Sequence, residues 1–99
     1  MSKAEIKSEL KKMFGNNAWF ISDEDYITNT YKIDWFAKCG KGTISVINCE
    51  DNRHLNYNNN YWGSDAYISI LKKFGLGMEW YDNCFAYIFY DKDYANQFK

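Results

Sequence analysis

Apolar residues near the N-terminus recur at the spacing of an α-helix. An S-x-x-E capping-box pattern over residues 2–5 precedes them, and Gly15 follows where a left-handed residue ends many helices. The apolar stripe consists of Ile6, Leu10, Met13 and Phe14. The lysines expected on its solvated face are Lys7, Lys11 and Lys12. The pattern predicts a first helix that packs one face against a core.

Residues 18–49 carry the alternation of apolar and polar positions that is typical of β-strands. The predicted strands are AWFIS (18–22), YITNTYKIDWFAK (26–38) and TISVINC (43–49). The acidic residues 23–25 form a predicted solvated turn, and the glycines of 39–42 a predicted hairpin loop. In the second strand Tyr31 and Trp35 share one face. Phe36 breaks the alternation and is expected to be either exposed or part of a second packing face.

The C-terminal half predicts a short strand RHLNY (53–57), a second helix and a terminal hairpin. Ser64 is the predicted N-cap of the helix, and Gly75 its end. The apolar stripe of this helix is Tyr67, Ile70, Leu71 and Phe74. MEWYDNCFAYIFY (78–90) predicts a hairpin with Asp82 and Asn83 at its tip, and residues 91–99 a weak closing helix.

These elements follow the order α-β-β-β-β-α-β-β, with the short C-terminal helix last. No repeat or linker divides residues 1–99. We therefore predict one small α+β domain, in which a twisted, mainly antiparallel sheet carries two helices on one face.

Aromatic residues make up 20% of the chain, which is more than a core of this size can bury. Some are therefore expected at the surface, where large apolar patches mark interaction sites. The net charge of -1 argues against a strongly electrostatic nucleic-acid binder and against an acidic DNA mimic. The charge balance leaves another protein or a small molecule as the expected partner.

Three cysteines, Cys39, Cys49 and Cys84, have no CxxC spacing and predict neither a disulfide framework nor a zinc ribbon. Cys39 and Cys84 are expected to be small buried hydrophobes. The charged opening MSKAEIKSELKK and the lack of a long apolar run predict a cytoplasmic protein without membrane contact.

Sequence patterns that would support catalysis are weak. If Asp51 and Asn52 form a two-residue turn, Cys49 and His54 lie opposite each other on the two adjoining strands. A thiol beside an imidazole is the arrangement that activates a cysteine as a nucleophile. No third group orients that pair, and residues 23–25 lack the ligand periodicity of a calcium loop. We predict no catalytic residue, no metal site and no cofactor.

The stretch DNRHLNYNNNYWGSD (51–65) has the composition of a protein-recognition loop, with rigid aromatics, adaptable amides and an arginine. The predicted partner-binding residues are Arg53, His54, Tyr57, Tyr61 and Trp62. A second interpretation stays open, in which this stretch is a polar connection whose aromatics fold back onto the sheet edge. The same aromatics could instead stack on unpaired bases, although no basic groove accompanies them.

We therefore predict a small, non-catalytic binding protein that acts by protein–protein contact. Eleven lysines against one arginine, with no proline, indicate AT-rich codons and suggest a phage or mobile-element inhibitor of a host or defence protein. The alternative is a single-stranded nucleic-acid-binding module. A Cys/His-dependent enzyme ranks third.

Overall fold

The computed structural model describes residues 3–48, 65–82 and 84–97. Three α-helices lie in these ranges: α1 (Lys3–Phe14), α2 (Thr30–Cys39) and α3 (Asp65–Phe74). Four strands accompany them: β1 (Ala18–Phe20), β2 (Thr43–Asn48), β3 (Leu76–Trp80) and β4 (Phe85–Tyr90). Short 3-10 helices cover Gly15–Asn17, Glu24–Thr28 and Tyr94–Gln97. The predicted α+β class is confirmed.

The four strands form one antiparallel sheet in the order β1-β2-β4-β3. The register places Val46 between Trp19 and Tyr87, so these three residues lie in one row across the sheet. A bulge between Thr43 and Ser45 shifts the register at the start of β2. Among the strands of the described ranges, β1 and β3 are the outermost.

Helices α1 and α3 pack on the same face of the sheet, as predicted. Phe14 of α1 meets Tyr67 of α3 edge to face, with ring centroids 5.8 Å apart. The helical residues of this first core are Ile6, Leu10, Phe14, Tyr67, Leu71 and Phe74. The strand residues beneath them include Phe20, Ile47, Leu76 and Ile88. Both predicted apolar stripes therefore face the core.

The predicted strand over residues 26–38 is wrong, because residues 30–39 form helix α2. The Asn29 side chain accepts a hydrogen bond from the Lys32 N–H at 3.2 Å, which caps the first turn of this helix. Trp35 and Phe36 are both buried. Neighbours in a strand point to opposite faces, whereas a helix can bury both on one side. Phe36 thus belongs to a second packing face.

Helix α2 covers the other face of the sheet. This second core consists of Trp19, Trp35, Phe36, Val46 and Phe85. Cys39 and Cys84 pack at its border and are half-buried, so the prediction that they are buried hydrophobes holds only in part. The glycines of 40–42 connect α2 to β2 rather than two strands. Gly40 and Gly42 have φ of 93° and 88°, which few side chains tolerate.

The predicted terminal hairpin is confirmed as β3 and β4. The Asp82 Oδ1 atom accepts hydrogen bonds from the N–H groups of Cys84 and Phe85, both at 2.8 Å, and so shapes the turn. Gly75, with φ of 65°, ends α3 immediately before β3. The closing helical turn is the 3-10 helix Tyr94–Gln97. The predicted strand 53–57 and the Ser64 cap lie outside the described residues.

The acidic turn after β1 is tied to α1 and is less solvated than predicted. The Asp23 carboxylate pairs with Lys7 and Lys11 and accepts a hydrogen bond from the Phe20 N–H at 3.3 Å. Lys7 and Lys11 therefore anchor this turn, in addition to facing solvent.

Candidate functional site

The sequence-predicted binding residues Arg53, His54, Tyr57, Tyr61 and Trp62 lie outside the ranges that the structure describes, as does Cys49. β2 ends at Asn48, which pairs with Phe85 near the tip of the β3–β4 hairpin. The role of the 51–65 stretch in binding stays a prediction.

A different surface emerges from the described residues. Several large apolar side chains are strongly exposed: Ile21, Ile27, Tyr31, Trp80, Tyr81 and Tyr90. Two of them, Ile21 (50% exposed) and Tyr90 (54% exposed), line one groove although they are distant in sequence. That convergence makes the groove the strongest candidate for a contact site among these residues.

The first groove lies at the end of the sheet where β1 and β4 finish and β2 begins. Its volume is about 370 Å³. The Asp23 N–H donates to the Phe20 carbonyl at 3.0 Å, and this turn places Ile21 at its corner. The lining residues are Lys3, Phe20, Ile21, Ser22, Gly42, Thr43, Ile44 and Tyr90. The lining is mostly apolar and includes one charged residue, Lys3.

A second groove of about 490 Å³ lies on the α2 side of the sheet. Its lining residues are Cys39, Lys41, Gly42, Thr43, Glu79, Tyr87, Phe89 and Tyr90. The Tyr87 ring lies 5.8 Å from the Phe89 ring, and the two rings form its aromatic floor. Gly42, Thr43 and Tyr90 line both grooves, so the two adjoin. We call the two grooves together the Tyr90 surface.

Two groups that line the second groove, the Cys39 thiol and the Tyr87 hydroxyl, have raised pKa values. Burial, with a smaller contribution from Asp82, raises the pKa of the Cys39 thiol to about 11, against the opposing effect of Lys38. The Tyr87 hydroxyl donates a hydrogen bond to Glu79 Oε2 at 2.8 Å, which is the main reason that the Tyr87 pKa is raised. A protonated thiol is a poor nucleophile, because the thiolate is the reactive form.

The groups of the Tyr90 surface are able to make contact with a partner. Within the described ranges, no three histidine, cysteine or acidic side chains cluster closely enough to hold a metal ion. The Tyr90 surface offers aromatic rings, aliphatic walls and a hydrogen-bonded Tyr–Glu pair. Such groups provide contact area and orientation for a partner.

Sequence reasoning predicted exposed aromatics in general but did not find this surface. The sequence feature that points to it is FAYIFY (85–90). Its aromatic residues stand at odd and at even positions and therefore lie on both faces of β4. The remaining walls come from the turn after β1 and the start of β2, which only the tertiary structure brings to Tyr90.

Comparison with protein-family models, with curated proteins and with solved structures finds no significant match for this chain. None of the helices in the described part combines the length and the apolar character needed to cross a membrane.

Proposed function

We propose that the protein is a small, non-catalytic binding protein that docks on another protein through the Tyr90 surface. The observation that carries the proposal is the convergence of Ile21 and Tyr90, each about half-exposed, on one apolar groove of about 370 Å³. Exposed apolar side chains that meet in a concave surface are typical of interaction sites, whereas isolated ones need no explanation.

The anatomy of the surface supports this proposal. Tyr90 lines both grooves, Ile21 adds an apolar side chain to the first and Phe89 an aromatic ring to the second, and the charged residues Lys3, Lys41 and Glu79 are also part of the lining. Interfaces commonly have an aromatic centre and a polar rim. Tyrosine suits the centre because it presents a large rigid ring at low entropic cost.

The charges that line the grooves favour a protein over a polyanion as the partner. Two lysines, Lys3 and Lys41, and one acid, Glu79, line the grooves, so the local excess of positive charge is small, and the whole chain has a net charge of -1. Binding to nucleic acid draws on neutralised phosphates and hence on a basic surface. The protonated Cys39 thiol likewise favours a binding role over nucleophilic catalysis.

A finer proposal concerns the biological role. The lysine-rich, proline-free composition is typical of AT-rich genomes, which include those of many phages and mobile elements. The role we propose is that of an inhibitor of a host or defence protein, because a small domain can inhibit another protein by contact alone. The identity of a captured partner tests this role directly.

The test uses tagged full-length protein to capture partners from a lysate of the native host, followed by affinity measurement with the purified partner. Tyr90→Ala is expected to weaken the complex by roughly thirtyfold or more, the loss typical of an interface hot spot. The melting temperature should fall by only a few degrees, because the Tyr90 side chain is 54% exposed.

Ile27→Ala is the matched control. Ile27 is 76% exposed and is absent from both grooves, so its truncation should leave the affinity unchanged. Equal affinity of the wild type, Tyr90→Ala and Ile21→Ser would show that the partner binds elsewhere.

A further inference from the structure

The lysines of the Tyr90 surface differ from most other lysines of the described ranges, because they have neither an acidic nor an aromatic partner there. Lys3 is part of the lining of the first groove and Lys41 of the second. Both are exposed. The lysines that do pair with a carboxylate or lie over a ring are Lys7, Lys11, Lys12, Lys32, Lys38 and Lys73.

The first groove combines its lysine with an apolar lining. Apart from Lys3, the described residues that line it are uncharged. Ile21 is 50% exposed and Tyr90 is 54% exposed, so both leave apolar surface in contact with water. A ligand group that covers Ile21 and Tyr90 should therefore be apolar, and a negative charge next to it would be attracted to Lys3.

The acidic residue of the second groove is already engaged. Glu79 Oε2 accepts the hydrogen bond from the Tyr87 hydroxyl at 2.8 Å, and Glu79 forms no ion pair with Lys41. Lys41 is therefore available to a carboxylate of a partner. The negative charge of Glu79 disfavours a long run of acidic groups, because like charges repel across an interface. A few carboxylates suit this surface better than many.

Gly42 lines both grooves and leaves room for another chain to approach. Apart from its chain neighbours, no described heavy atom lies within 4 Å of the position that a Cβ atom would take at Gly42. A residue without a side chain lets a partner pass close to the backbone. One segment that crosses Gly42 therefore contacts the two grooves together.

Building on the function proposed above, we propose that the Tyr90 surface binds an acidic segment of the partner protein, in which a large apolar side chain lies beside a few aspartates or glutamates. The apolar side chain enters the first groove against Ile21 and Tyr90, and the carboxylates pair with Lys3 and Lys41. Apolar contact supplies most of the affinity, because exposed ion pairs contribute little. The ion pairs select acidic segments over basic ones.

Selection from a displayed library of short random peptides tests this proposal, with the immobilised full chain as bait. Peptides that the wild type retains and Tyr90→Ala does not retain bind the Tyr90 surface. They are expected to be enriched in aspartate or glutamate next to a large apolar residue. Tyr90-dependent peptides without an excess of acidic residues would overturn the acidic segment and leave the proposed function standing. If no peptide depends on Tyr90, both fail.

Charge reversal then tests the two lysines with one selected peptide, capped at both ends and followed by fluorescence anisotropy. Lys3→Glu and Lys41→Glu should each weaken binding by about fivefold, and the loss should shrink at high salt. Lys72→Glu is the control, since it makes the same change of charge at an exposed residue that lines neither groove. Equal losses in all three variants would overturn the proposal, because net charge alone would explain them.

A reciprocal exchange of charge provides the last measurement. The same peptide with its acidic residues replaced by lysine should bind the wild type more weakly than the original peptide does. It should bind the double variant Lys3→Glu/Lys41→Glu more tightly than it binds the wild type. If Tyr90→Ala abolishes binding but neither the single variants nor this exchange changes the affinity, the partner binds the Tyr90 surface without using its lysines, and the acidic segment is wrong.

Discussion

The indole of Trp35 stacks on the ring of Phe85, with ring centroids 3.7 Å apart and ring planes inclined by 16°. The stack joins helix α2 to strand β4. Trp19 approaches Phe85 from β1, with its ring centroid 6.0 Å from that of Phe85, and both tryptophans are buried. These contacts hold α2 against the sheet, and Cys39 at the end of α2 is part of the lining of the second groove.

The Trp35–Phe85 stack predicts a large stability effect. Trp35→Ala should lower the free energy of unfolding by about 3–5 kcal/mol, as deletion of a buried aromatic typically does. Trp35→Phe should cost much less, because Trp35 Nε1 has no hydrogen-bond partner among the described residues and no hydrogen bond is lost. Urea denaturation measures both.

Tyr31→Ala is the control for this experiment. Tyr31 contacts the same cluster, with its ring centroid 6.3 Å from that of Phe85, but it is half-exposed. Its truncation should cost about 1 kcal/mol. A Trp35→Ala variant no less stable than Tyr31→Ala would contradict the packing of α2 on this face.

The contrast between α2 and the other helices explains what the sequence could and could not predict. α1 and α3 have apolar stripes that fit only a helical period, and Gly15 and Gly75 end them. In residues 30–39, Tyr31, Ile33 and Trp35 also fit the alternation of a strand. The choice depends on burying Trp35 and Phe36 together against Phe85, which is a tertiary contact that no local pattern contains.

The candidate site was unpredictable for a related reason. The alternation in β4 assigns Tyr87 and Phe89 to one face of the sheet. It does not indicate that they stay only partly buried beside α2, nor that Ile21 lines the same groove as Tyr90. Those facts depend on where α2 ends and on the turn that Asp23 closes.

Asp23 predicts a pH-dependent contribution to stability. Burial is the largest single influence on its pKa and raises it, but Lys7, Lys11 and the Phe20 N–H together outweigh burial and lower the pKa below its usual value. A lowered carboxylate pKa contributes stability above the unfolded-state value of about 3.9, and this is lost as the pH falls through the folded-state pKa.

Asp23→Asn should therefore lower the free energy of unfolding by about 1 kcal/mol at neutral pH. The difference from the wild type should shrink below about pH 4, in urea titrations across the acidic range. Asp25→Asn is the control, since the Asp25 side chain is 57% exposed although it pairs with Lys32 at 2.5 Å. A difference that stays constant down to acid pH would show that the Asp23 charge is not the cause.

Cys39 is predicted to be unreactive in the folded protein. With a pKa of about 11, its thiolate fraction at about pH 8 is roughly a hundredfold lower than that of an ordinary cysteine. Iodoacetamide labelling, followed by mass spectrometry of the Cys39 peptide, should proceed slowly in buffer. The same peptide in urea-unfolded protein is the control and should label fast. Equal rates in the two states would contradict a half-buried, protonated thiol.

The stretch 51–65 yields a prediction from sequence alone, because its aromatics are expected either to bind a partner or to cap the core. If Arg53, Tyr57, Tyr61 and Trp62 are anchors, truncating each to alanine should weaken partner binding by about 2 kcal/mol or more and barely change thermal stability. If the aromatics instead pack onto the sheet, their truncation should cost about 3–5 kcal/mol of folding stability.

Trp62→Ala is the sharpest of these variants, because tryptophan gives the largest signal in either assay. Its melting curve should be compared with that of Trp35→Ala, a buried tryptophan, and its affinity with that of Tyr90→Ala. Loss of affinity at an unchanged melting temperature would extend the contact site beyond the Tyr90 surface to the 51–65 stretch. A fall in melting temperature as large as that of Trp35→Ala would instead assign Trp62 to the core, because only a buried indole contributes that much to stability.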